Sequence, residues 1–149
     1  MSTLSSQLIP LFERDLKKLS EEISLYKNEK DLWLLKGDIK NTAGNLVLHL
    51  IGNLHFYIGA TLGKSGFVRN RDKEFSDKNI PRENILLSID ELQEMVKKIL
   101  TSIPDEQMLE KFPIDFLGKR PSTVEMLFIV YGHLNYHLGQ INYHRRITE

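Results

Sequence analysis

The stretch His133-Leu134-Asn135-Tyr136-His137-Leu138-Gly139-Gln140-Ile141 carries two histidines four residues apart. On a helix, such a pair projects from one face, stacked by one turn. That spacing lets two imidazoles reach one metal ion. The helix around it has clear ends. Ser122 with Glu125 makes the S-x-x-E capping box at its start, and Arg145 with Arg146 suits the negative end of its dipole. A helix from Ser122 to about residue 146 follows.

Three more helical segments precede it. In about residues 4–28, Leu8, Phe12, Leu16, Leu19, Ile23 and Tyr26 recur at steps of three and four. Pro10 either marks the true first turn or kinks a longer helix. Residues 29–40 form a polar connection, with Trp33 as its anchor to the core. A second helix starts at Asn41 as N-cap and runs to Leu62. Leu46, Leu50, Leu54 and Tyr57 form its stripe, widened by Val47, Ile51 and Ile58. Residues 64–81 are a long polar connection, able to cross one end of a bundle. A third helix spans about 82–102, with Ile85, Ile89, Leu92, Val96 and Leu100 on its buried side. Residues 103–121 read as irregular, with room for a short extended piece around Phe112 to Leu117. Long alternating β-branched runs are missing. The expected fold is all-α, a four-helix bundle in one domain covering residues 1–149.

Composition narrows the function classes. Twenty basic and twenty acidic residues cancel without forming blocks, so nothing supplies the basic stripe a nucleic-acid binder needs. No apolar run reaches the length of a membrane span, and the start Met1-Ser2-Thr3-Leu4 lacks signal-peptide character. A cytoplasmic protein is the expectation. Cysteine is absent, which removes disulfides, thiolate ligands and a cysteine nucleophile.

His49 lies mid-way along the second helix, with Asn45 and Asn53 one turn to either side. That polar ladder faces either water or a polar cavity, because buried polar groups need partners. Facing His133 and His137, it completes a three-histidine site with an open position, as catalytic metal centres have. Otherwise the histidines serve packing or capping. His55 points about 240° away from His49, and His144 lies about 10 Å beyond His137, so neither joins the same ion. Gln140 shares the His137 face and is a candidate partner for a ligand. Leu134 stands where the HExxH signature has glutamate, and no glutamate stands three residues before a histidine, as a di-iron bundle requires. Three neutral imidazoles suit zinc or nickel.

The chain resembles the DinB-like superfamily of damage-inducible four-helix metalloproteins. Three phrases carry the resemblance: Leu46-Val47-Leu48-His49-Leu50-Ile51-Gly52-Asn53-Leu54, H-x-x-x-H-x-G-Q-I from His133 to Ile141, and Arg69-Asn70-Arg71-Asp72-Lys73-Glu74-Phe75-Ser76. The resemblance implies an up-down-down-up bundle, a metal site at His49, His133 and His137, and frequent homodimers. Characterised relatives include transferases and isomerases that use mycothiol, bacillithiol or glutathione, and some metal-dependent hydrolases. The expected activity is therefore a metal-dependent transfer using a small external thiol. Asn45, Asn53 and Gln140 would orient a small-molecule substrate, and Arg69 or Arg71 would hold a carboxylate. The alternatives are metal-dependent hydrolysis, for which neither histidine helix offers a free carboxylate base, and a non-enzymatic protein that binds metal or a small ligand.

Overall fold

The computed structural model describes residues 2–149. Oxygen-bearing caps open three of its four long helices. Helix α1, Thr3–Leu25, starts at Ser2, whose hydroxyl accepts from the Ser5 amide at 2.9 Å. Pro10 sits inside α1 on its exposed side. Helix α2, Ala43–Leu54, starts one residue later than expected. Thr42, not Asn41, accepts from the Asn45 amide at 3.1 Å. After Leu54 the chain continues as a π-helical segment, His55–Leu62, where a plain α-helix was expected. The short α3, Arg71–Ser76, lies in the long connection and is capped by Asn70. Helices α4, Arg82–Ser102, and α6, Thr123–Thr148, are the other two long elements, and Ser122 caps α6.

Between α4 and α6 the chain makes a short helix, α5, Asp105–Leu109, where irregular chain was expected. Met108 is buried beneath it, and the Asp105 carboxylate accepts from the free amides of Thr3 and Leu4 at 3.2 and 3.3 Å. An acidic group at that helix N-terminus satisfies donors that have no partner inside α1. The extended piece expected near Phe112 is reduced to isolated bridges, Lys111 with Ser122 and Phe116 with Lys119. No strand forms among the described residues, so the chain is all-helical. No described helix is long and apolar enough to cross a membrane.

Helix α1 packs on α4 and α6, and α2 packs on the same two helices. Every apolar position of the α1 and α4 stripes read from the sequence is buried. In α2 and its π segment, Leu46, Val47, Leu50, Leu54 and Ile58 are buried, while Ile51 and Tyr57 are only partly covered. The 29–40 connection is anchored by Leu32, fully buried in a 3-10 turn, and by Trp33, partly buried against the core as expected. Trp33 is half-buried over Gly44, where any Cβ would come within 2.6 Å of the indole ring.

Polar bonds fix the rotation of α6. Buried Asp15 on α1 accepts from Asn135 at 3.1 Å and from the Tyr131 hydroxyl. Glu22 accepts from Asn142 at 2.6 Å and Arg145 at 3.0 Å. His144 is buried between the Tyr26 hydroxyl at 2.6 Å and the Leu34 carbonyl at 2.8 Å. A buried polar group stripped of its partner costs about 1–3 kcal/mol, so rotations of α6 that break these bonds are disfavoured. The face left toward α2 carries His133 and His137.

Candidate metal centre

Helix α2 carries His49 at its middle, 6 % exposed. Its Nδ1 lies 3.0 Å from Glu74 Oε1 on α3. Arg69 grips the same carboxylate with two bonds, Nε to Oε2 at 2.8 Å and Nη2 to Oε1 at 3.0 Å. Glu74 is itself buried, so its charge is balanced locally rather than by water. Gly52 makes room for it, since a Cβ there would collide with the Glu74 carboxylate. The Phe75 ring packs against His49 with centroids 4.9 Å apart.

Helix α6 brings the other two histidines. His133 Nε2 lies 3.0 Å from His49 Nε2 and 3.2 Å from His137 Nε2. The three ligand atoms all lie within 4.8 Å of one another. The outer nitrogens define the tautomers. A carboxylate accepts only, so His49 donates through Nδ1–H to Glu74 and keeps a lone pair on Nε2. His137 donates through Nδ1–H to Gln140 Oε1 at 2.7 Å and likewise keeps a lone pair on Nε2. Two lone pairs therefore converge beside His133 Nε2, which can donate to only one of them. His133 Nδ1 is buried and has no partner. The three rings cannot satisfy one another.

A cation answers that deficit. Nitrogens each about 2.1 Å from one ion stand about 3.0–3.4 Å apart for angles of 90–110°. Two of the three separations, 3.0 and 3.2 Å, fall in that interval, and the third pair, His49 with His137, lies within 4.8 Å, so a small movement of one ring closes the set on an ion. The rings also carry the right charge. Burial pushes the His133 pKa down to about 4, helped by the neighbouring His137, His49, Arg69 and Arg71. Burial lowers His49 against the opposing pull of Glu74, and lowers His137 against that of Gln140. Neutral imidazole is the ligating form. The residues present thus fit a divalent ion.

A cavity of about 350 Å³ opens beside the histidines. His49, His133, Asn53, Arg69 and Arg71 line it, together with Tyr57 and Phe116. Asn53 is 8 % exposed, and its Oδ1 is buried without a partner. Arg71 is exposed at the wall.

The other site expectations distribute differently. Asn45 is spent on the scaffold. Its amide donates to the Glu74 and Asp77 carbonyls, both at 2.9 Å, and its oxygen accepts from Thr42 and Lys78. It fastens α3 to α2 and does not line the cavity. Arg69 lines the cavity with its charge already engaged by Glu74. Gln140 reaches His137 from the far side and lines a separate cavity of about 440 Å³ with Leu46, Tyr143, His144 and Ile147. His55 is turned away and stacks on Phe67. Glu74 is the residue missed as a partner of the site. It stands on a short helix in the connection, outside both histidine helices. The available signal was Asn70 as a cap, followed by Asp72 and Glu74 in the first turn.

Fold and site together define an all-helical protein with a three-histidine group able to hold a metal ion. A family model described as a protein of unknown function, DUF1572, matches residues 6–149, and the chain belongs to that family. No curated protein matches the chain.

Proposed function

We propose that this chain is a DinB-like metalloprotein of the up-down-down-up four-helix type. In this reading it binds zinc or nickel through His49, His133 and His137 and transfers a group to or from a small external thiol. The observation that carries the proposal is the convergence of three imidazole nitrogens with their outer nitrogens already committed or buried. The long connection supports parallel α2 and α4, and homodimers belong to the same reading.

A divalent ion held there supplies, when bound, an open Lewis-acidic position that favours the thiolate of an added thiol. The chain's own groups do the rest. Glu74 and Gln140 hold the rings of His49 and His137 in the ligating tautomer. Asn53 offers a buried acceptor to a substrate N–H or O–H, and Arg71 offers a charge to a carboxylate. Tyr57 and Phe116 cover the apolar part of the substrate. The sulfur forms a bond to carbon, the leaving group departs with its electron pair, and the thiol proton passes to solvent. Hydrolysis is less well served, because Glu74 is tied to both His49 and Arg69 and is not free as a base.

Elemental analysis of untagged protein tests the site, with wild type beside His49→Ala and His133→Ala. About one divalent ion per chain, lost in both variants with helicity kept, is expected. Turnover of thiol with an electrophile, abolished by chelation and by His49→Ala, tests the activity. Metal uptake without turnover on a broad panel would leave a binding protein. Failure to take up zinc or nickel would refute the centre.

A further inference from the structure

Helix α6 has a long uncovered face. At 100° per residue, Phe128, Gly132, Tyr136, Gly139, Tyr143 and Ile147 fall in one sector about 100° wide. The four large residues among them are exposed, with Tyr143 at 71 %. A Cβ at Gly132 or Gly139 would meet nothing within 4 Å, so nothing inside this chain requires glycine there. Between residues 128 and 145 the sector carries no charge. Glu125 and Arg146 stand at its two ends.

The order of large and small residues is self-complementary. Place a two-fold axis at the level between His137 and Leu138 and run a second α6 antiparallel. Tyr136 then faces Gly139, Gly132 faces Tyr143, and Phe128 faces Ile147, each pairing occurring twice as an isologous contact demands. Arg146 of the second copy falls opposite Ile129, about 6 Å along the axis from Glu125. Opposite charges therefore meet at both ends. Parallel helices would place like charges together and tyrosine against tyrosine.

The face is also continuous with the metal centre. The Tyr136 ring packs on His137 with centroids 5.1 Å apart. Tyr143 and Ile147 form the rim of the 440 Å³ cavity that Gln140 lines, so Phe128 of the second copy lies at its mouth. The strip is about 30 Å long. That length suits an interface on the order of 1,000 Å² in total, near the lower bound for a specific complex.

We propose that two copies of this chain pair antiparallel along α6, glycine against tyrosine, and thereby wall the His137 side of each metal centre. The proposal rests on the homodimer part of the function proposed above and assigns its face. It does not depend on the metal.

Sedimentation equilibrium of the full chain tests it, with variants whose fold is checked by circular dichroism. Wild type should sediment at twice the 17.3 kDa chain mass. Phe128→Glu adds a charge to the face. Gly139→Leu keeps the face apolar but blocks close approach, and the open space at Gly139 lets the monomer accept it. Each should weaken the dimer at least tenfold. Glu125→Arg and Arg146→Glu should each weaken it, and the two together should restore it. A monomeric wild type at tens of micromolar would overturn both the dimer and this face. A dimer indifferent to Phe128→Glu and Gly139→Leu would overturn the face alone. Failure of the charge exchange to restore association would overturn the antiparallel pairing.

Discussion

Replacing Glu74 by glutamine should weaken zinc binding about 10–100-fold, the usual cost of losing a carboxylate behind a ligating histidine. That corresponds to about 1.4–2.8 kcal/mol. The geometry shows why glutamine cannot substitute. Oε1 accepts from His49 and from Arg69 Nη2, and Oε2 accepts from Arg69 Nε. A glutamine has one acceptor oxygen. Placed toward His49, its NH₂ opposes the Arg69 Nε–H. Turned over, its NH₂ opposes the His49 Nδ1–H. Either way a buried donor loses its acceptor, at about 1–3 kcal/mol. For a chain of this size that lowers the melting temperature of metal-free protein by about 2–12 °C. Competition with a chromophoric chelator gives the zinc affinity, and thermal melts of the stripped protein give the stability. An affinity within twofold of wild type, in a variant that melts as wild type does, would refute the role given to Glu74.

Gly52→Ala raises helix propensity but drives a methyl group into the Glu74 carboxylate, so zinc affinity should fall severalfold while helicity holds; the same chelator titration reads it. Zinc at a hundred times its dissociation constant should stabilise wild type by about 2.7 kcal/mol, seen as a higher melting temperature, and should leave His49→Ala unmoved. Acid stability has a local source in Asp15. Burial raises its pKa, but hydrogen bonds from Arg14, Tyr131 and Asn135 outweigh that and hold the carboxyl below its usual value. A depressed folded pKa contributes stability above the unfolded value of about 3.9, lost as pH falls through the folded one. Urea unfolding of metal-free Asp15→Asn should therefore show a weaker acid dependence below about pH 4 than wild type.

Periodicity makes the long helices legible from the chain alone. Leu8 to Tyr26 and Ile85 to Leu100 bury as a 3.6-residue period demands, because an apolar stripe can leave water only by facing a core. The i,i+4 histidine pair is equally local, since the helix alone stacks those two rings. Short-range chemistry also placed the Ser122 cap, confirmed at 3.2 Å from the Glu125 amide. The second helix is less legible from the chain. Its cap moved to Thr42, and its last turns widened into a π segment that no residue spacing announced.

Tertiary structure alone decided the rest. The meeting of His49 with His133 depends on the rotation of α6, set by Asp15 and Glu22 on α1 and by Tyr26 at its C-terminal end. The commitment of Asn45 to the Glu74 and Asp77 carbonyls depends on where the 64–81 connection folds back. Glu74 reaches His49 for the same reason, across 25 residues of chain. Helical period and capping are properties of neighbours within a turn, so the sequence determines them directly. Which polar groups face one another is settled only when buried donors and acceptors from distant segments must all be satisfied at once.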